Sequence, residues 1–139
     1  MDYIIFLGRI LFTTIFILSG FNHFTEQSIQ YAASHGVPLP ALLVPLSGII
    51  SILGGLSILL GYKARWGAWL IVLFLVPVTF MMHNFWSLSD PIQSKMQLIA
   101  FLKNFSLLGG ALIITYFGSG PLSLDDRFGH DRGRRNRFF

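Results

Sequence analysis

The chain has 139 residues, 53 % of them hydrophobic and only 12 % charged, with a mean hydropathy of +0.65; a soluble domain carries about 25 % charged residues, so an ordinary water-soluble globule is excluded. It contains no cysteine, which excludes thiol–disulfide chemistry, Cys-ligated zinc and Cys-held iron–sulfur clusters. The net charge of +4 is not a nucleic-acid footprint, because five of the ten basic residues (Arg127, Arg132, Arg134, Arg135 and Arg137) crowd at one end of the chain.

Four apolar runs approach the length of about 20 residues that crosses a bilayer core. The first, about 3–20, begins Met1-Asp2 without a basic segment and is followed by no A-x-A-like site, so it reads as a retained helix, not a cleaved signal. At about 100° per residue, Arg9, Thr13, Phe16, Gly20 and His23 form one stripe. Such a stripe belongs inside a bundle, since lipid offers no hydrogen bonds. Arg9 has two readings, snorkelling to the near headgroups or pairing within the bundle. In the loop that follows, Thr25 is placed to cap a short helix through Tyr31 to His35, with Gly36 as its stop.

The second run, about 41–60, puts Ser47, Ser51, Gly54 and Gly61 on one face, a spacing that lets helices approach closely. The link Gly61–Arg65 is so short that the second and third helices must be antiparallel neighbours. The third run, about 66–82, contains Pro77, expected to kink it or free a carbonyl, and ends at His83 and Asn84. The next connection, with Trp86, Asp90 and Pro91, reads as irregular. The fourth run, about 98–117, carries Lys103 and Asn104 side by side, with Lys103 sharing a face with Ser106 and Gly110. Residues 125–139 read as a basic, disordered tail that touches anionic headgroups.

Orientation follows from Lys and Arg in the flanks. Lys63 and Arg65 in the central link and the five tail arginines stand against Lys95 alone in the other two connections. Both termini and the central link are therefore expected on the cytoplasmic side. The expected fold is all-α: an integral membrane four-helix bundle over residues 1–124, followed by a cytoplasmic tail.

An ionisable group within a span usually marks a working site. Lys103 is expected in the outer half of its helix, near the depth of His23 and His83, where Asn22 and Asn84 also converge. The bland reading makes the histidines interfacial and lets Lys103 snorkel. A second reading takes His23, His83, Asn84, Lys103 and Asn104 as a binding set for a quinone head, whose carbonyl oxygens need donors and whose ring and tail suit an aromatic cleft. A third, bis-His haem or a metal through His23 and His83, has only Glu26 and Asp90 for carboxylate support and ranks last. No metal set, catalytic residue, flavin motif or nicotinamide motif is legible.

Several stretches together resemble the DoxX family of small four-helix membrane proteins: Gly20-Phe-Asn-His23-Phe24, Tyr31 through Pro40, Leu53-Gly-Gly-Leu through Arg65, Asn104-Phe-Ser-Leu-Leu-Gly-Gly-Ala-Leu, and Gly118 through Asp125. The resemblance implies a multi-pass bacterial inner-membrane protein, similar to the membrane subunit of thiosulfate:quinone oxidoreductase and linked to quinone-dependent or redox-stress complexes. It also marks two departures: Ser51 stands where many relatives carry Glu, and His23 where Lys is usual. The function expected is a subunit of a quinone-linked oxidoreductase or redox-stress complex, its electrons coming from a soluble or membrane redox partner. The rival readings are a non-catalytic adaptor and a small-solute or lipid carrier. Membrane lipids and a second copy of the chain are the other expected partners.

Overall fold

A computed structural model describes residues 1–129, and these are almost entirely helical. The long helices are α1 (Asp2–Asn22), α3 (Pro40–Leu60), α4 (Ala64–Met82) and α5 (Pro91–Phe117), all long and apolar enough to cross a membrane. Helices suit that task because every interior backbone group is satisfied within the segment. A short α2 (Glu26–Ser34) follows α1, a 3₁₀ turn spans Phe85–Ser87, and α6 (Leu124–Phe128) closes the described chain. One end of the bundle, the link end, carries the α3–α4 link and α6; the other, the loop end, carries α2 and the 3₁₀ turn.

The helices pack in the order α1, α3, α4, α5. Small residues set the close approaches. A side chain at Gly48 would stand 2.7 Å from the Gly20 carbonyl oxygen, and one at Gly54 2.9 Å from that of Gly67. Ser51 is fully buried between α1 and α3 and donates to the Phe16 carbonyl at 2.8 Å. The core they enclose contains Phe16, Ile58, Ala68, Ile71, Leu75 and Ala111. Phe12 of α1 lies over Gly110 of α5, so α1 and α5 meet through a side chain while their backbones stand apart.

Several expectations hold in detail. The buried residues of α1 are Arg9, Thr13, Phe16 and Gly20. Thr25 caps α2, accepting the Ser28 N–H, and Gly36 follows at φ +79°. Two expectations change. The fourth long helix starts at Pro91, not near residue 98, because Asp90 caps it by accepting the Ile92 N–H at 3.1 Å and proline is pre-set for a first helical position. The tail expected from residue 125 begins as structure: Asp125 is buried and Leu124–Phe128 are helical, with Ser123 as the cap. The rest of that tail, 130–139, lies outside the described residues.

Candidate functional site

At the loop end, His23 caps the C-terminus of α1 and is half-buried. Its Nδ1 lies 2.8 Å from Ser47 Oγ, while the Ser47 hydroxyl donates to the Val44 carbonyl at 2.7 Å. With that hydroxyl proton committed, Nδ1–H of His23 must be the donor, and the network assigns the tautomer. Burial pushes the His23 pKa down, opposed by hydrogen bonding to the Val44 backbone. The favoured state is therefore a neutral ring whose Nε2 is an acceptor. That ring lies 5.6 Å from Phe74.

His83 is held similarly, its Nδ1 2.8 Å from Gln97 Oε1 on α5. An amide oxygen only accepts, so a neutral His83 also presents Nε2 as an acceptor. Both histidines were expected as donors to quinone carbonyls; the hydrogen bonds at Nδ1 reverse that role for the neutral rings. Asn84 is half-buried and starts the 3₁₀ turn, its carbonyl accepting from the backbone and hydroxyl of Ser87.

The two adjacent polar residues of α5 part company. Asn104 is buried and Lys103 exposed, since successive helical positions differ by about 100°. Lys103 thus stands on the outer surface of α5, not in the bundle interior. No hydrogen bond, ion pair or ring contact among the described residues joins His23, His83, Asn84, Lys103 and Asn104 to one another.

The loop half has further polar and aromatic features. Thr79 is buried and its Oγ1 makes no hydrogen bond among the described residues; Asn104, 7 % exposed, makes no side-chain hydrogen bond among them either. An aromatic cluster gathers around Phe101, which meets Phe80 and Phe85 edge-on at 5.5 Å and stacks on Phe105 at 5.9 Å.

The link end holds a second polar group. Asp125 accepts the backbone N–H groups of Lys63 at 2.7 Å and Ala64 at 3.0 Å, and the Ser119 hydroxyl reaches it at 3.4 Å. Those are orphan donors at the start of α4, where a carboxylate is also favoured by the helix dipole. Arg9, 4 % exposed, donates through Nη2 to the Leu122 carbonyl, lies 5.6 Å from the Phe6 ring and feels the Asp125 charge, but its Nε and Nη1 make no hydrogen bond among the described residues. Of the two readings for Arg9, the structure favours burial over snorkelling. No cluster of three or more His, Cys, Asp or Glu that could hold a metal occurs among the described residues.

Residues 4–84 match the model of the DoxX family. The chain is 30 % identical over 127 residues to inner membrane protein YphA of Escherichia coli, covering 89 % of each chain. It is also 30 % identical over 123 residues to inner membrane protein YqjF of the same bacterium, covering 87 % of this chain and 88 % of that one. A third relative, the ER-derived vesicles protein ERV29 of Saccharomyces cerevisiae, is 25 % identical over 125 residues, which is 90 % of this chain but 34 % of that protein. No solved structure matches.

Proposed function

The chain belongs to the DoxX family and is a multi-pass inner-membrane protein, and from that premise we propose that it is the membrane subunit of a quinone-linked redox system, binding a quinone-type head at the loop end. The observation that carries this reading is Asn104: it lies mid-way along an apolar helix, 7 % exposed, and its amide makes no side-chain hydrogen bond among the described residues yet is not wholly enclosed by protein. Unmet polar groups in a bilayer interior cost several kcal/mol or find a ligand. An amide both donates and accepts, so Asn104 suits either a quinone carbonyl or a quinol hydroxyl. His23 narrows the choice: its acceptor Nε2 takes a hydroxyl and so favours the reduced head. Aromatic side chains around Phe101 offer flat apolar surface to a ring. A bound quinone would supply two-electron carriage; the chain's own residues hold and orient it, and the electrons pass to or from a partner protein.

Purification in mild detergent, followed by extraction and mass spectrometry with an absorption spectrum, tests this. The reading expects near-stoichiometric quinone, lost in His23→Phe and Asn104→Leu and retained in Lys103→Met. A Soret band would replace it with haem. No ligand, with unchanged stability in all three variants, would leave the adaptor reading. That second reading has its own support: α5 is the least covered of the four long helices and exposes Lys103 with Leu102, Phe105 and Ser106.

A further inference from the structure

At the link end a groove of about 360 Å³ runs between α1 and α5, where Phe12 of α1 packs on Gly110. Its walls are apolar: Ile5 and Phe12 on one side, Ile113, Ile114 and Phe117 on the other. Ile5, Ile113 and Phe117 are themselves exposed, so the groove opens along the surface that faces lipid. Among the described residues Arg9 is the one charged group lining it, and Gly118, Ser119 and Gly120 line it beside Arg9.

Arg9 is more than nine-tenths buried, and its Nε and Nη1 donate to nothing among the described residues. The nearby carboxylate does not relieve this. Asp125 is engaged by the N–H groups of Lys63 and Ala64 and by the Ser119 hydroxyl. A buried guanidinium with unmet donors costs several kcal/mol unless an acceptor, best an anionic one, completes it. Lys63, Arg65 and Arg127 add positive charge at the same end.

We propose that this groove binds one acidic phospholipid, with an acyl chain between Phe12 and Ile113 and its phosphate at the Arg9 end. The occupant is an amphiphile because the walls are apolar and the one ionic group is a cation. It is a phospholipid from the adjoining leaflet because the groove opens sideways to lipid along α1 and α5. The phosphate supplies the acceptor that Arg9 lacks, a charge-assisted pairing that guanidinium groups favour. This site is separate from the loop-end binding site and stands or falls without it.

Gly8 gives a clean test. It lines the groove, and a Cβ built there meets nothing within 4 Å. Gly8→Phe therefore adds a bulky ring at the groove wall without altering Arg9 itself. Native mass spectrometry of the full chain in detergent, with dioleoyl phosphatidylglycerol, the matching phosphatidylcholine or palmitate added, reads the result. The wild-type chain should retain one phosphatidylglycerol about tenfold more tightly than phosphatidylcholine, and Gly8→Phe and Arg9→Met should both lose that retention. Melting of each variant is recorded alongside; if Arg9→Met fails to fold, Gly8→Phe decides. Equal retention of the two phospholipids, retention unchanged in folded Gly8→Phe, or palmitate displacing phosphatidylglycerol at equal concentration would each overturn the proposal.

Discussion

The Asp125 carboxylate accepts the backbone N–H of Lys63 at 2.7 Å, a bond that reaches across 62 positions of the chain. It ties the segment after α5 to the start of α4. The Asp125 N–H also donates to the Gly61 carbonyl at 2.7 Å, so the clasp is made from both sides. Asp125→Ala removes an acceptor from one buried and one part-buried N–H group and a counter-charge from Arg9. The expected loss is about 2–3 kcal/mol, read as a lower melting temperature in detergent, with Asp125→Asn in between.

Glycines that look alike in the sequence should respond oppositely. Gly48→Ala drives a methyl group to 2.7 Å from both the Gly20 carbonyl and the His23 Cβ, and overpacking of that kind costs about 1–3 kcal/mol. Gly109 faces open space, so Gly109→Ala should stabilise α5 by about 0.5–1 kcal/mol through helix propensity. Thermal melting of the two variants side by side checks both signs.

Burial depresses the His23 pKa in the folded chain. As pH falls through about 6.5, the unfolded chain takes up a proton that the folded chain still refuses. The contribution of a neutral His23 to stability is therefore complete above that pH and is lost as the pH drops toward the folded value. Melting temperature should fall between pH 7 and pH 5, and His23→Phe should flatten this slope.

Topology has a direct check. Reporter fusions after Arg65 and after Asp90 should report opposite sides of the membrane, with Arg65 cytoplasmic, as the distribution of Lys and Arg requires.

The inward stripe of α1 was legible because its polar and small residues repeat at helical spacing against aliphatic ones. Ser51 and Gly54 were legible for the same reason, and Thr25 and Gly36 carried the start and stop signals of α2. In α5, lipid and core are both apolar, so composition gives little contrast between its faces. Asn104 and Lys103 therefore looked like one feature, and only packing separated the inward amide from the outward amine. The roles of His23 and His83 depended on their Nδ1 partners, Ser47 and Gln97, which no spacing rule identifies. Asp125 was hidden for a related reason: its function exists only once the chain returns to the α3–α4 link.

In the proposed site the loop end holds a quinone-type head, and His23 favours its reduced form. Anaerobic binding of a short-chain ubiquinol and of the matching ubiquinone to the purified chain tests it most directly. The quinol should bind about tenfold more tightly, because an acceptor left without a hydroxyl is penalised, and His23→Phe should erase the difference. Tighter binding of the oxidised form, or the same preference in His23→Phe as in the wild type, would contradict it.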